Sequence, residues 1–278
     1  MQNNIKISFI GGGNMASALI GGLAGKLTAG RNIHVVDVKP ESLKGLQDTF
    51  GISVAGKIDA AIETSDVVVL SVKPQQIRPV VAELKELKNR ISNQLILSIA
   101  AGIRSEDLSR WLGGYQAIVR TMPNTPALIG KGMAGMYAMN GVTEEQRRLA
   151  ESILQAAGDT MWVNEESMLD AVTAMSGSGP AYVFYFIEAM QQAGEKMGFT
   201  PKQSLQLALA TFAGATELAM KSSDPVSVLR QRVTSPGGTT FAALTSMEQS
   251  KVKDAIVTAI EAAETRSKEL GDQFGKDN

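Results

Sequence analysis

The chain has 278 residues, a length typical of about two domains. Its 27 basic and 28 acidic side chains give a formal net charge of −1 without a basic stripe, which disfavours nucleic acid or an anionic membrane as a partner. No apolar run approaches the roughly 18 residues needed to span a bilayer, and the first residues lack the pattern of a signal peptide. We therefore expect a soluble, cytoplasmic protein.

Cysteine and histidine usage narrows the chemistry further. The sequence contains no cysteine, which excludes disulfides, a thiolate nucleophile and a cysteine-bound metal. Its single histidine, His34, lies in an apolar stretch that predicts a buried strand. Dehydrogenases that use histidine as the acid–base group at a carbinol are therefore disfavoured, and we expect no metal site.

The first half of the chain alternates between strand and helix patterns. Helical spacing occurs at residues 15–25 and 40–50, and Pro40 suits a first helical turn. Continuous or β-rich apolar runs predict strands at residues 5–10, 32–36, 67–71, 94–99 and 116–121. This alternation predicts an α/β fold that begins with a Rossmann-type doubly wound sheet carrying helices on both faces.

The second half carries helix patterns alone. From about Glu165 onward, helical spacing covers residues 169–197, 201–221 and 252–270. We predict a dinucleotide-binding domain at residues 1–164 and an all-helical domain at residues 165–278, with residues 271–278 frayed. The segment 201–221 is rich in small residues, which is typical of a buried or subunit-contacting helix and equally of an ordinary core helix.

The strongest motif is a glycine-rich turn between the first strand and the first helix. It has the form G-x-G-x-x-A, with Gly11 for the tight turn, Gly13 for close approach to a pyrophosphate, and Ala16 for strand–helix packing. The N–H groups at the helix start, at Asn14 and Met15, would hold the phosphates. This context predicts that the chain binds a dinucleotide.

The choice between NADH and NADPH stays open. Asp37 ends the second predicted strand about 20 residues after the glycine-rich turn, where a carboxylate binds the adenosine ribose. Its charge favours NADH because it would repel a 2′-phosphate. Lys39, two residues further on, could instead attract that phosphate.

Three further segments follow predicted strands at their carboxyl ends, where open α/β sheets bind ligands. Each alone is equally consistent with ordinary turn chemistry, but together they outline a nicotinamide crevice. The candidate cofactor contacts in these segments are Ser71, Val72, Lys73, Pro74, Ala101, Met122, Pro123 and Asn124.

Two glycine-rich loops precede helix patterns in the second half. Each offers backbone N–H groups and hydroxyls at a helix start without a charged side chain, which suits a small anion such as a carboxylate. Glycine and serine also mark plain helix boundaries, so both interpretations stay open. The candidate substrate contacts are Ser176, Gly177 and Ser178 in the first loop, and Ser235, Pro236, Gly237, Gly238 and Thr239 in the second.

Six segments together resemble one enzyme family. They are IGGGNMA, SVKPQ, SIAAG, MPNTPALIG, DAVTAMSGSGPAYVF and RVTSPGGTTFAAL, spread in order over nearly the whole chain. The chain resembles the pyrroline-5-carboxylate reductases, most specifically in SGSGPAY and SPGGTT. The resemblance implies reduction of the ring C=N of 1-pyrroline-5-carboxylate to L-proline by NADPH or NADH, the last step of proline biosynthesis. It also implies that the helical domain binds the substrate and dimerises, often within a larger homo-oligomer.

The same resemblance implies roles for individual residues. Thr240 matches the family threonine whose hydroxyl faces the substrate ring nitrogen, and we expect it to donate or relay a hydrogen bond there. Residues 235–239 match the segment around the substrate carboxylate, residues 176–178 match the opposing loop, and residues 11–15, 71–74 and 122–124 match cofactor contacts. The chain departs from the family at residues 37–39, which often carry small polar side chains, and this puts only the cofactor preference in doubt.

Two other functions compete with this reading. A β-hydroxyacid dehydrogenase or another imine reductase of the same two-domain plan typically needs a lysine on the first long helix of the second domain, and residues 170–195 contain none. A non-catalytic NAD(P)-binding sensor would keep the glycine-rich turn but would have no use for SPGGTT. Reduction of a C=N bond requires no histidine acid, which agrees with the composition.

Overall fold

The structure, a computed structural model, describes residues 4–86 and 93–276. In these ranges one sheet is formed by β1 (Ile7–Ile10), β2 (Ile33–Val36), β3 (Ser53–Ala55), β4 (Val67–Leu70), β5 (Leu95–Ser98), β6 (Ile118–Met122), β7 (Gly132–Ala138) and β8 (Gly158–Trp162). The strand order is β3-β2-β1-β4-β5-β6-β7-β8, and all neighbours are parallel except β6 and β7. The chain reverses its direction of winding between β1 and β4, so the predicted doubly wound Rossmann arrangement is confirmed.

Helices lie close to the predicted residues 15–25, 40–50, 201–221 and 252–270, whereas the helix predicted at residues 169–197 is divided in two and the helices at residues 144–155 and 226–232 were not predicted. The helices are α1 (Asn14–Leu23), α2 (Pro40–Phe50), α3 (Pro74–Glu86), α4 (Ser105–Trp111), α5 (Glu144–Gln155), α6 (Met168–Val172), α7 (Gly179–Lys196), α8 (Pro201–Lys221), α9 (Val226–Arg232), α10 (Thr239–Gln249) and α11 (Val252–Gly275). Proline at the first position begins α2, α3 and α8, as expected where an N–H has no intrahelical partner.

Two apolar clusters cover the two faces of the sheet. Alternate residues of a strand point to opposite faces, so a strand buried on both sides must be apolar throughout. Phe9 packs with α1, α2 and α5 on one face, and Val68 packs with α3 and α4 on the other. The continuous apolar runs of the sequence therefore predicted the five central strands.

Three strands at the sides of the sheet were not predicted from the sequence. The strand β3 has three residues and no buried position. The strand β7 has the sequence GMAGMYA, and the exposure of β8 alternates along GDTMW, so neither has a continuous apolar run. Their pairing depends on contacts with β2, β6 and each other that local sequence does not show.

Contacts divide the chain into two units. The first unit is Met1–Ser178 together with Ala263–Asn278, and the second is Gly179–Ala262. This division falls after the boundary predicted at residue 164, because Leu169 and Val172 of α6 pack with Met122 and Tyr137 from the sheet. The domain limits 1–164 and 165–278 stay a prediction.

The expected fraying of residues 271–278 is wrong for the part that the structure describes. The helix α11 continues to Gly275, and Gly271 is buried. Arg104 binds the Asp272 carboxylate at 2.7 Å, and Arg110 donates to the Gly275 carbonyl at 2.9 Å. Residues 277–278 lie outside the described ranges.

His34 occupies the structural position that its neighbours predicted. It lies in β2 and is 7% exposed. Its Nδ1 lies 3.0 Å from the Ser53 hydroxyl, and its Nε2 lies 3.2 Å from a carboxylate oxygen of Asp59. The prediction of a buried strand histidine is confirmed.

Candidate functional site

The glycine-rich turn joins β1 to α1. Gly11 has φ +104, and a Cβ there would lie 2.6 Å from the Ser71 carbonyl oxygen, so only glycine fits. Gly13 is exposed, and a Cβ there would meet no atom of the described chain within 4 Å. No side chain caps α1 and no acidic residue lies in its first turn, so the N–H groups at Asn14 and Met15 have no side-chain acceptor and are available to an anion.

The Asp37 carboxylate is held by two backbone amides. One oxygen accepts from Gly12 N–H at 2.7 Å, and the other accepts from Lys39 N–H at 2.9 Å. Because both partners are donors, the site suits a carboxylate better than an amide. The side chain of Lys39 is exposed, and its backbone is what contacts Asp37.

Ser71 connects the end of β4 to the glycine-rich turn. Its hydroxyl lies 2.7 Å from the Gly11 carbonyl oxygen and 3.0 Å from that of Ile10. Ser71 therefore supports the turn with its side chain. The segment then continues through half-buried Val72 and exposed Lys73 to Pro74, the first residue of α3.

The next two parallel strands end at the same edge of the sheet. Ala101 is exposed in the turn after β5, beside buried Ala100. Met122 ends β6 and is followed by Pro123, and both are half-buried. The carboxyl ends of β1, β2, β4, β5 and β6 therefore bring the predicted cofactor residues of the first unit to one edge.

The Asn124 side chain, like that of Ser71, makes its hydrogen bonds inside the protein. Its Oδ1 accepts from Met133 N–H at 2.9 Å. Its Nδ2 lies 3.2 Å from the Ser176 carbonyl oxygen and 3.1 Å from the Ser176 hydroxyl. The amide therefore connects β6 and β7 to the segment around Ser176.

Residues 176–178 form part of a helical turn, so the expected loop is wrong. Between α6 and α7 the residues Thr173–Gly177 make a wide π-type turn, in which Ser178 N–H donates to the Thr173 carbonyl at 2.8 Å. Such turns occur often at functional sites. A Cβ at Gly177 would lie 2.4 Å from the Met122 methyl carbon, so glycine allows the turn to pack on β6.

The SPGGTT segment lies in the second unit and forms a tight turn before α10. Gly238 N–H donates to the Ser235 carbonyl at 3.0 Å, with Pro236 second and Gly237 at φ +72 third, as in a type II turn. Gly238 caps α10 without a side chain, and the first turn of α10 has no acidic residue. In the described chain the hydroxyl of Thr240, like that of Thr239, has no internal hydrogen-bond partner.

Comparison with known proteins identifies the family. Residues 166–270 match the family model for pyrroline-5-carboxylate reductase dimerisation, and residues 6–102 match that for NADP oxidoreductase, coenzyme F420-dependent. The pyrroline-5-carboxylate reductase of Pseudomonas aeruginosa is 42% identical over 98% of each chain. That of Haemophilus influenzae is 40% identical over 99% of this chain and 100% of its own. The chain belongs to the pyrroline-5-carboxylate reductase family.

Solved structures of the same family agree over the whole chain. The Coxiella burnetii pyrroline-5-carboxylate reductase has a TM-score of 0.90 and 38% identity, covering 96% of this chain and 99% of its own. The Plasmodium falciparum pyrroline carboxylate reductase, solved with NADP bound, has a TM-score of 0.85 and 32% identity, covering 98% and 99%. The chain is accordingly an NAD(P)H-dependent oxidoreductase with a homo-oligomerising helical region.

The residues of this reductase fit a dinucleotide. The open space around the Gly13 Cα and the uncapped start of α1 suit a pyrophosphate. The Asp37 carboxylate, which is held in place by backbone amides, suits ribose hydroxyls. In residues 4–86 and 93–276 no helix is long and apolar enough to cross a membrane. The same ranges contain no group of three or more histidine, aspartate or glutamate side chains that could hold a metal ion.

Sequence reasoning missed a buried ion pair beside the site of this reductase. Arg120, in β6, is 5% exposed, and its guanidinium lies 2.8 Å from the Glu166 carboxylate. That carboxylate also accepts from the Ser105 N–H at 2.7 Å and from its hydroxyl at 2.5 Å. Arg120 interrupts an otherwise apolar strand in the sequence, and this could have indicated the pair, because a buried arginine requires a partner. The pair fixes the start of α6, which leads into the π-type turn.

Proposed function

We propose that this chain reduces the ring C=N bond of 1-pyrroline-5-carboxylate to L-proline with NADPH or NADH. Family membership over the whole chain supports the reaction. The observation that carries the site is the turn before α10, which presents backbone donors and a free threonine hydroxyl without any charged side chain. That combination suits a substrate with one carboxylate and one ring nitrogen.

The first unit holds the cofactor in this proposal. The N–H groups at Asn14 and Met15 bind the pyrophosphate, and the Asp37 carboxylate lies at the adenosine ribose. Residues 71–74, Ala101 and residues 122–123 surround the nicotinamide. When bound, NADPH or NADH supplies the hydride for the ring carbon next to the nitrogen.

The turn before α10 binds the substrate carboxylate. The segment from Ser235 to Thr239 places N–H groups and hydroxyls around the start of the helix, whose dipole favours an anion. Pro236 has no N–H, and the Gly238 N–H is used within the turn, so the donors come from Ser235, Gly237 and Thr239. Specificity then rests on backbone geometry, because lysine or arginine is absent from residues 233–250 of the sequence.

Thr240 acts on the ring nitrogen. Its hydroxyl donates or relays a hydrogen bond to the imine nitrogen, which increases the electrophilic character of the adjacent carbon and positions it for hydride transfer. The proton that completes the amine comes from solvent or through this hydroxyl. Thr245, one turn further along α10, donates to the Phe241 carbonyl at 2.8 Å, whereas Thr240 lies too close to the helix start for such a bond.

The direct test is oxidation of NADPH and of NADH in the presence of 1-pyrroline-5-carboxylate, with L-proline measured as the product. We expect turnover with at least one cofactor. Cofactor binding by folded protein without any turnover would instead support the sensor function. Oxidation of 3-hydroxyacids by NAD⁺ without any reduction of the imine would support the hydroxyacid dehydrogenase interpretation. Residues 170–195 lack the lysine that this activity typically needs.

The role of Thr240 is tested by Thr240→Ala. We expect kcat/KM for the imine to fall by about tenfold or more, since the lost hydrogen bond is strongest in the transition state. Thr240→Ser keeps a hydroxyl and should retain most of the activity. Thr245→Ala removes a hydroxyl that already has a partner within α10 and should leave kcat/KM unchanged. An unchanged kcat/KM in Thr240→Ala would remove Thr240 from the mechanism.

The finer points of assembly and location are also proposals. The dimerisation family model supports self-association, and we propose a dimer or a larger homo-oligomer as the active form. Sedimentation of the purified protein over a range of concentrations would give the number of subunits. A cytoplasmic location is tested by fractionation of the cells that produce the protein.

A further inference from the structure

The Ser176 hydroxyl oxygen can only accept a hydrogen bond from its neighbour Asn124. The Asn124 side chain is fixed at one end, because Met133 N–H can only donate and so must face the amide oxygen. The other end of Asn124 is then the NH₂ group, which faces the Ser176 carbonyl oxygen at 3.2 Å and its hydroxyl oxygen at 3.1 Å. Both ends of the amide therefore agree on one assignment.

The consequence concerns the hydroxyl hydrogen. An NH₂ group has no free lone pair, so the Ser176 oxygen must accept from it and cannot donate to it. In the same turn, Thr173 donates its hydroxyl hydrogen to the Leu169 carbonyl at 2.7 Å. In the described part of the chain the Ser176 hydroxyl has no internal acceptor, although the side chain is only half-exposed.

We propose that Ser176 is a hydrogen-bond donor to an oxygen of the bound ligands, and that Asn124 is the positioning residue that fixes this polarity. The proposal rests on the function proposed above and deepens it. The ligand group is a carbonyl or carboxylate oxygen, either the substrate carboxylate or the carboxamide of the nicotinamide. It also changes the role expected for Asn124, whose amide serves Ser176 and Met133 instead of the cofactor.

The first test is Ser176→Ala, with two measurements on each protein. The Kd for NADPH without substrate reports the carboxamide, and the KM for the imine at saturating NADPH reports the carboxylate. Loss of the donor should raise KM about tenfold or more if the acceptor is charged, or raise the Kd about threefold to tenfold if it is the neutral carboxamide. Thr173→Val removes a hydroxyl whose hydrogen is already used, and should change neither value.

The second test reverses the polarity without removing Ser176. In Asn124→Asp one carboxylate oxygen can still accept from Met133 N–H, and the other presents an acceptor to the Ser176 hydroxyl. The hydroxyl should then turn its hydrogen away from the ligand, so the variant should show the defect of Ser176→Ala. In the double variant the added effect of Asn124→Asp should be less than about threefold, because neighbours that act as one unit are not additive.

These outcomes separate the inference from the proposed function. A wild-type protein that binds NADPH but does not reduce the imine would refute the proposed function. A normally active wild type in which Ser176→Ala changes both Kd and KM by less than about twofold would overturn the inference. Full additivity of the two substitutions would also overturn it, by showing that Asn124 acts independently of Ser176. If Asn124→Asp fails to fold, Ser176→Ala and Thr173→Val alone decide.

Discussion

The two units of the chain bury their apolar residues to different extents. In the first unit the strands of the sheet are almost fully buried between two clusters of helix residues. In the described second unit, Ile187 and Ala208 are the apolar residues that are buried. Its helices α7 and α8 instead expose large side chains, including Phe184, Tyr185, Leu205, Leu207, Leu209, Leu218 and Met220.

This difference agrees with the match of residues 166–270 to the family model for dimerisation. Exposed apolar surface of this extent marks an interaction site in a soluble protein. The small residues of α8, which left two interpretations open from sequence, lie beside exposed leucines and agree with a subunit-contacting helix. The first unit contains its own core, and the residues proposed to bind the nucleotide are held by hydrogen bonds within the same unit.

The largest expected effect comes from placing charge on the apolar face of α8. Leu207 and Leu218 are 52% and 59% exposed and lie on the same face of the helix, three turns apart. In Leu207→Glu/Leu218→Glu we expect self-association to weaken by at least about 100-fold, because each lost apolar anchor costs about 2 kcal/mol or more. Sedimentation and imine reduction at equal concentrations measure the loss.

The control places a charge on the same helix at a polar position. Gln206→Glu should leave the sedimentation coefficient and activity unchanged, because Gln206 is exposed and polar already. NADPH binding by the double leucine variant should persist, since the proposed nucleotide contacts lie in the first unit. Normal assembly of the double variant would show that the exposed leucines of α8 have another partner.

The second largest effect is on the stability of the first unit. Glu166→Ala removes one partner of the buried pair and leaves the Arg120 guanidinium without its carboxylate. We expect a loss of about 3–5 kcal/mol in the free energy of unfolding. Urea unfolding followed by tryptophan fluorescence reports this unit, because both tryptophans of the chain, Trp111 and Trp162, lie in it.

An exposed ion pair serves as the comparison for that variant. Lys44 and Asp48 lie 2.9 Å apart on the surface of α2, where water screens both charges. Asp48→Ala should leave the urea midpoint unchanged. A similar midpoint for Glu166→Ala and wild type would mean that solvent satisfies Arg120 in the absence of Glu166.

Local sequence predicted the parts of the fold that depend on local chemistry. The five central strands, the limits of α2 and α8 and the glycine-rich turn follow from apolar runs, proline positions and glycine conformations within a few residues. The strands β7 and β8 could not be predicted, because they are fixed by pairing with each other and with β6.

The candidate site shows the same limit. The position of Asp37 at the end of a strand was visible in the sequence, but the two amides that fix its carboxylate depend on the folded turn. The bond between Asn124 and Ser176 joins residues 52 positions apart and two different elements. A contact of that kind is a property of the tertiary structure, so it was not visible when the sequence assigned Asn124 to the cofactor from its place after a predicted strand and from the family resemblance.

A smaller effect is expected on cofactor choice, within the first unit. The Asp37 carboxylate cannot turn away without losing its bonds to Gly12 and Lys39, so we expect wild type to bind NADH more tightly than NADPH. In Asp37→Ala the ratio of the two Kd values should shift toward NADPH by about tenfold or more, because a like charge near the 2′-phosphate is removed. Fluorescence titration with each cofactor measures the ratio.

The ratio of the two Kd values is informative because a general disturbance of the turn would weaken the binding of both cofactors equally and leave the ratio unchanged. Lys39→Ala should lower NADPH affinity more than NADH affinity only if the exposed ammonium reaches the phosphate. A ratio that responds to Lys39→Ala and not to Asp37→Ala would assign the choice of cofactor to the lysine.

The smallest effect is expected for Ser71→Ala, which removes the hydroxyl that supports the glycine-rich turn from β4. The backbone there is held by other bonds, including Gly11 N–H to the Val36 carbonyl at 2.8 Å, so we expect the Kd for NADPH to rise by about threefold to tenfold. Ser8→Ala is the matched control, because Ser8 lies in β1 before the turn and its hydroxyl pairs with that of Ser65 at 2.6 Å. Both variants should lose stability, but only Ser71→Ala should lose nucleotide affinity. The effect of Ser71→Ala should persist unchanged in the Leu207→Glu/Leu218→Glu background, because all the proposed nucleotide contacts lie in the first unit. An effect of Ser71→Ala that is seen only in the assembled protein would mean that nucleotide binding also depends on the second unit.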